Sequence, residues 1–232
     1  MSGSIAAYKA CELTRRLKDE GAQVFCLMTQ GAAKFVTPLT LSALSGNPVA
    51  CEIWDESLWK MAHLELAEEA DLLIAAPASA HTLARLAAGF SDDVLTATVL
   101  SSKAPVLIAP AMHESMWLHP ATQENVKKLK GFGYQFVGPE KGALARGDSG
   151  WGRLADIPVI VQAAKKILAK IAGIVKDIPN YIQIAGSTSS VNYVKDENYT
   201  NWELSAERAN AARRYLIKAG IESAQIARII SL

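Results

Sequence analysis

Asp71-Leu72-Leu73-Ile74-Ala75-Ala76 leads into Pro77-Ala78-Ser79-Ala80-His81-Thr82, and Pro105-Val106-Leu107-Ile108-Ala109 leads into Pro110-Ala111-Met112-His113-Glu114-Ser115-Met116-Trp117. Uninterrupted apolar runs between helical stretches read as central strands of a parallel sheet covered on both faces. Ligands of open α/β sheets sit beyond the carboxyl ends of such strands. Both runs reach that end with proline, alanine and small hydrogen-bonding residues, which leaves room for a flat ligand. Each turn alone is also an ordinary strand-to-helix connection. The matching pair points to one shared site.

Outward from these strands, the pattern alternates. Ile5 to Glu20 reads as an amphipathic helix stopped at Gly21, and Gln23 to Met28 as a short strand ending in Thr29. Residues 39–46 suggest a helix closed by Gly46, Trp54 to Trp59 a loop, and His63 to Glu69 a helix. Thr82 to Gly89, Asp93 to Ser101 and Thr122 to Lys130 read as helices and Gln135 to Val137 as a strand. This is the pattern of a doubly wound parallel α/β sheet. Ahead of the first helix stands only Met1-Ser2-Gly3-Ser4, where such a sheet has its first strand, so a sheet lacking that strand is expected. Arg146-Gly147-Asp148-Ser149-Gly150-Trp151-Gly152-Arg153 reads as a glycine-rich loop folding over a site or an interface, and Pro158 to Lys176 as a long helix. From Ile178 the pattern changes to β-α-β, with strands at Tyr181 to Ala185 and Ile226 to Ile230 around a helix from Thr200 to Ala219.

Bulk composition narrows the classes. The 232 residues are 50% hydrophobic and 20% charged, with a net charge of +1, as in a soluble globular protein without a nucleic-acid or membrane-surface partner. No apolar run reaches the roughly 18–20 residues of a membrane span. Cys11, Cys26 and Cys51, odd in number and without C-x-x-C spacing, speak against a disulfide framework and against zinc. A cytoplasmic location is expected.

Several residues are candidates for chemistry, each with a structural alternative. Ser2-Gly3-Ser4 at a helix start offers backbone N–H groups and hydroxyls to a phosphate, or is a plain serine cap. Thr29 ends the next strand and can reach the same anion. His63 is a proton-transfer or carboxylate-binding group, or a structural histidine, and His113 directly follows a strand. Ser91-Asp92-Asp93 fits a helix start. Arg146, Asp148 and Arg153 either bind an anionic substrate or close their loop as ion pairs. The four histidines have no metal-ligand spacing, so no metal is expected. G-x-S-x-G, the P-loop and G-x-G-x-x-G are all absent, and a flat, phosphate-bearing cofactor on a flavodoxin-like sheet fits best.

These residues form a collinear set of motifs: Ser2-Gly3-Ser4-Ile5-Ala6-Ala7-Tyr8-Lys9, Met28-Thr29, Phe35-Val36-Thr37-Pro38-Leu39, Leu44-Ser45-Gly46, Met61-Ala62-His63-Leu64-Glu65-Leu66, Ala76-Pro77-Ala78-Ser79-Ala80, Pro110-Ala111-Met112, Pro120-Ala121-Thr122-Gln123 and Gly147-Asp148-Ser149-Gly150-Trp151-Gly152-Arg153. Residues 1–168 thereby resemble the flavin-containing cysteine decarboxylase family, of the phosphopantothenoylcysteine decarboxylase type. The resemblance implies FMN as cofactor, with Gly3, Ser4 and Thr29 at its phosphate and Ala78, Ser79 and Met112 along the flavin. It implies His63 and His113 as catalytic residues, and His113, Arg146 and Asp148 as substrate-binding ones. The implied reaction, in coenzyme A biosynthesis, oxidises the cysteinyl thiol of phosphopantothenoylcysteine, releases carbon dioxide and reduces the product to 4'-phosphopantetheine. A homo-oligomer, trimer or larger, is implied, with sites at subunit contacts. His113 stands where the family usually has asparagine, and Arg146 where it usually has cysteine. Two readings therefore stay open, turnover or an FMN-binding scaffold.

Residues 171–232 resemble a different family, the peptidoglycan-binding domain of flagellar stator B-subunits and outer-membrane protein A, through Ile178-Pro179-Asn180-Tyr181-Ile182-Gln183-Ile184, Asn198 to Ala209 and Gly220-Ile221. Arg208 matches that family's ligand arginine, but Gly186-Ser187-Thr188-Ser189 replaces its Gly-His-Thr-Asp, so no peptidoglycan binding is expected. The pairing of the two resemblances suggests an engineered or recombined chimera. Tyr181 to Ala185, followed by Gly186-Ser187, either substitutes for the first strand at the edge of the main sheet or belongs to a separate β-α-β lobe.

Overall fold

A computed structural model describes residues 1–54, 62–176, 182–186, 201–218 and 226–231. It divides into two compact units, Met1–Lys165 and Lys166–Leu232.

The first unit opens with a 3-10 turn, Ile5–Tyr8, that runs into α1, Lys9–Asp19. There follow β1 (Cys26–Leu27), α2 (Gln30–Ala33), α3 (Pro38–Ser45), β2 (Val49–Ala50) and α4 (Ala62–Glu69). Next come β3 (Leu73–Ala78), α5 (Ala80–Ala88), α6 (Val94–Ser101), β4 (Val106–Pro110), α7 (Glu114–Trp117), α8 (Pro120–Gly131) and β5 (Gln135–Phe136). A hairpin of β6 (Glu140–Ala143) and β7 (Ser149–Arg153) precedes α9 (Ile157–Lys176). Trp54 lies in a turn, exposed; the rest of the loop expected at Trp54 to Trp59 lies outside the described residues.

The architecture is mixed α/β with parallel sheets, in the flavodoxin-like manner. β3, β4 and β5 form one parallel sheet in that order, and β1 and β2 form another. Between them runs the backbone of Met1 and Ser2. The Met1 amine donates to Leu27 O at 2.5 Å and Met1 O accepts from Thr29 N–H at 3.1 Å, while Ser2 N–H donates to Pro77 O at 3.1 Å. The expected doubly wound parallel arrangement is thus present as two parallel sheets, β1–β2 and β3–β4–β5, flanking Met1 and Ser2 where the first strand is lacking.

The core forms where the two opening motifs placed it. Leu107, Ile108 and Ala109 on β4 are at most 1% exposed, and Ile108, with Val106, packs with Leu83 and Leu86 of α5, Leu95 and Val99 of α6, and Leu129 of α8. Burying each such large side chain contributes about 1.5–3 kcal/mol. α6 carries four β-branched residues among its eight, a poor intrinsic helix former. Burial on nearly all sides and a capping box between Asp93 and Thr96 hold it helical.

Two expectations are corrected. Pro77 and Ala78 are the last residues of β3, not a turn, and the turn begins only at Ser79. The glycine-rich loop at 146–153 is mostly strand: β7 pairs antiparallel with β6, and the turn is confined to 144–148. Close approach explains the glycines, because a Cβ on Gly142 would meet Arg153 Cδ and Nε at 2.8 Å.

In the second unit β8 (Ile182–Gly186) pairs in parallel with β9 (Ile226–Ser231), and α10 (Asn201–Lys218) lies against both. A helical crossover of this length closes a local parallel pair. Among the described residues β8 pairs with β9 alone, the separate β-α-β arrangement and not the substitution into the main sheet. Tyr181 and Ser187 to Thr200 lie outside the described residues.

Candidate functional site

Three hydroxyl residues predicted as cofactor ligands occupy the same structural position, the N-cap of the helix after a strand end. Ser4 caps the 3-10 turn, accepting from Ala6 N–H at 3.3 Å; Thr29 caps α2, accepting from Ala32 N–H at 3.2 Å; Ser79 caps α5, accepting from Thr82 N–H at 3.3 Å. Each has the extended backbone that an N-cap requires. The first N–H groups of a helix lack internal partners and carry partial positive charge. No acidic side chain stands in the first turn after Ser4 or Ser79 to neutralise it.

A short network joins these caps. Ser2, 1% exposed, donates its hydroxyl to Pro77 O and accepts Ser79 N–H, both at 2.9 Å. Ser4 Oγ–H donates to Ala111 O at 3.4 Å, and Ala111 N–H donates to Ala78 O at 3.0 Å. A Cβ on Gly3 would lie 3.0 Å from the Gly31 carbonyl carbon, and one on Gly31 would lie 3.8 Å from Thr29 Oγ1. Gly3, Ser4, Thr29, Ala78, Ser79 and Met112 are thereby gathered at the carboxyl ends of β1, β3 and β4. Ser2, read with Gly3 and Ser4 as the helix-start turn, and Gly152, read in the glycine-rich loop, belong to the same assembly. Gly31 escaped sequence reasoning, and only its close approach to Gly3, invisible in one dimension, marks it.

The β6–β7 hairpin crosses the turn after β4. Met112 N–H donates to Gly152 O at 3.0 Å, and a Cβ on Gly152 would fall 2.0 Å from Met112 O. His113 caps α7: its Nδ1 accepts Ser115 N–H at 3.3 Å and contacts Ser115 Oγ at 2.9 Å. Because Nδ1 is the acceptor, the neutral ring carries its proton on Nε2, which faces Asp148 Oδ2 at 3.5 Å. His113 and Asp148 are brought together, while Arg146 sits at the exposed turn of the hairpin and makes no hydrogen bond or ion pair among the described residues. Arg153 ion-pairs with Glu140 and with Asp156 (2.8 Å), closing the base of the hairpin, the structural role foreseen as its alternative. His63 lies on α4, which packs against α6, and no hydrogen bond joins it to the cradle among the described residues. Its Nδ1 is buried without a hydrogen-bond partner. Asp92 and Asp93 are tied to Arg85, and Asp93 caps α6. Among the described residues no His/Cys/Asp/Glu group is arranged to hold a metal ion, and no helix is long and apolar enough to cross a membrane.

A cradle of helix starts at the ends of parallel strands is one of many phosphate-binding arrangements, and comparison with known proteins narrows it. The sequence profile of the family described as Flavoprotein matches residues 1–169. The chain belongs to the Flavoprotein family. A second profile, the OmpA family, matches residues 155–231. Among curated relatives of this Flavoprotein member, the coenzyme A biosynthesis bifunctional protein CoaBC of Mycolicibacterium smegmatis is 37% identical over 227 residues, 98% of this chain and 55% of that protein. The chain spans 39% to 55% of the length of the curated relatives it matches. Among solved structures, a PPC decarboxylase mutant complexed with pantothenoylaminoethenethiol superposes with a TM-score of 0.64 at 33% identity, covering 71% of this chain and 93% of that one. The FMN binding protein AtHal3 gives 0.62 at 33% identity, covering 71% and 91%.

Proposed function

We propose that residues 1–168 form an FMN-binding domain that decarboxylates phosphopantothenoylcysteine to 4'-phosphopantetheine, a step of coenzyme A biosynthesis. The observation carrying this reading is the convergence of Gly3, Ser4, Thr29, Ala78, Ser79 and Met112 at three strand ends. Its donor set fits the group: hydroxyls and helix starts suit a phosphate. Ala78, fully buried, and Ala111 put small side chains at the strand ends, as a flat ring requires. Ser4 and Thr29 hold the phosphate end in this reading, and Ser79 and Met112 border the ring. When bound, FMN supplies the two-electron acceptor that makes the substrate's thiol-bearing carbon an electron sink for loss of carbon dioxide.

The protein's own part is positioning and proton handling. The Nε2–H of His113, fixed by the Ser115 bonds to its other nitrogen, is a donor for a substrate carboxylate. The substrate takes that single proton over from its 3.5 Å contact with Asp148, which stands beside the substrate, and Arg146 at the hairpin turn offers a positive charge to an anionic substrate. His63, with an unpartnered ring nitrogen, serves proton transfer. A homo-oligomer, trimer or larger, accommodates the separation of His63 from the cradle within one chain. The match to CoaBC relatives supports a small-molecule substrate and a cytoplasmic setting.

The absorption spectrum of the purified protein tests the reading. Bands near about 370 and 450 nm mark oxidised flavin, and carbon dioxide release from phosphopantothenoylcysteine then reports turnover. Colourless protein that takes up no added FMN overturns the reading. FMN uptake without carbon dioxide release supports the scaffold alternative. A second reading, favoured by the OmpA profile over residues 155–231, is a chimera whose tail retains a peptidoglycan fold. With Ser187 and Ser189 in place of the family's His and Asp, no pull-down on peptidoglycan is expected; retention on it would reverse this.

A further inference from the structure

The β6–β7 hairpin carries Arg146 and Asp148, so whatever seats it decides where they stand. Its ladder leaves one edge free. Leu144 N–H donates to Asp148 O, making 144 and 148 a hydrogen-bonded pair, and alternation along an antiparallel ladder makes Lys141 and Trp151 a non-bonded pair. The Trp151 N–H therefore faces away from β6. It donates instead to Glu114 Oε1 at 2.8 Å, on the first residue of α7. Next to it, a Cβ on Gly150 would meet the Glu114 carboxyl at 2.6 Å, so the strand rests against that carboxylate with no side chain between. Among the described residues, the Met112 to Gly152 backbone bond and the longer His113 to Asp148 contact also fasten the hairpin to this turn.

We infer that Glu114 is the positioning residue of the hairpin: its carboxylate seats β7 on the Met112–His113 turn and thereby holds Arg146 and Asp148 at the site. The inference deepens the reading above, since the site it serves is the proposed one, but the seating itself involves neither cofactor nor substrate. Glu114 also lies in the first turn of α7, where a negative charge is favoured. That contribution is separable, because glutamine keeps the acceptor oxygen and removes the charge.

Limited trypsin digestion of the full chain, followed by mass spectrometry, reads the seating. Arg146 is exposed in the turn, and cleavage after it requires the hairpin to lift; Arg85, within α5 and 15% exposed, is the control for global unfolding. Loss of a hydrogen bond to a charged group predicts that Glu114→Ala accelerates cleavage after Arg146 by about tenfold or more, with cleavage after Arg85 unchanged. Glu114→Gln should stay within about threefold of wild type, since its amide oxygen still accepts. Trp151 emission should shift in the alanine variant and not in the glutamine variant. Unchanged cleavage in Glu114→Ala, a glutamine variant as labile as the alanine one, or equal acceleration after Arg85 would each overturn the inference. None of these outcomes depends on flavin, so failure here and failure of the proposed activity are distinguishable.

Discussion

Ser2 Oγ accepts the backbone N–H of Ser79 at 2.9 Å, locking the start of the chain to the cap of α5 across 77 residues of sequence. The same hydroxyl donates to Pro77 O, so removing it leaves the Ser79 N–H without its acceptor and Pro77 O with the Ser2 N–H alone. Ser2→Ala should lower unfolding free energy by about 1–3 kcal/mol, read by urea denaturation with an unchanged slope.

Ser79 caps α5 and, in the proposed reading, borders the flavin ring. Ser79→Ala should cost about 0.5–2 kcal/mol of stability and weaken FMN retention, measured by dialysis and residual absorbance. Ser79→Asp keeps a capping oxygen and adds a negative charge beside the proposed flavin ring. It should restore stability while lowering FMN retention further, and equal retention in both variants would contradict the cofactor assignment.

Gly152 has φ +125° and no room for a side chain against Met112 O. Gly152→Ala should therefore detach β7 from the turn after β4. Hydrogen exchange at residues 149–153 should quicken by about tenfold or more, as expected of about 1–3 kcal/mol of local strain, while β4 stays protected.

Arg85 bonds both Asp92 and Asp93, the latter at 2.5 Å. Its hydrogen bond to Asp92 holds that carboxylate below its ordinary 3.8. A carboxylate depressed in the folded state contributes stability above its unfolded value, and that contribution is lost as pH falls through the lower folded one. Stability of the wild type should therefore decline on acidification below about pH 4, the ordinary Asp range. Arg85→Gln should be less stable at neutral pH and show a shallower acid decline. A parallel acid decline in the two proteins would remove Arg85 from the explanation.

The helices were legible because their ends are chemical. Ser79 and Gly89 bracket α5, Asp93 and Thr96 start α6, and Gly46 stops α3 in the left-handed conformation. The apolar runs of β3 and β4 announced themselves for a similar reason, since both faces are buried. Pro77 misled, because proline reads as punctuation whereas here it closes a strand whose carbonyl feeds Ser2. The hairpin was illegible because Glu140-Lys141-Gly142-Ala143 shows no apolar alternation, and Gly150 and Gly152 are there for what crosses them, Glu114 and Met112. Of the candidate site residues, Gly3, Ser4 and Thr29 were readable as turn chemistry and Ala78, Ser79 and Met112 came from the family resemblance, while the pairing of His113 with Asp148 depended on a register that no local pattern encodes.

The two residues between β1 and β3 also have a mechanical meaning. Backbone bonding across that seam passes through Met1 and Ser2, with Thr29 on one bank and Ser79 on the other. The proposed FMN, gripped by both banks, would act as a rivet beside the Ala50, Leu66 and Val94 cluster that already joins the two sides. Occupancy and cooperativity then rise together, and exchange protection of β1 and β2 becomes a direct gauge of how full the cradle is.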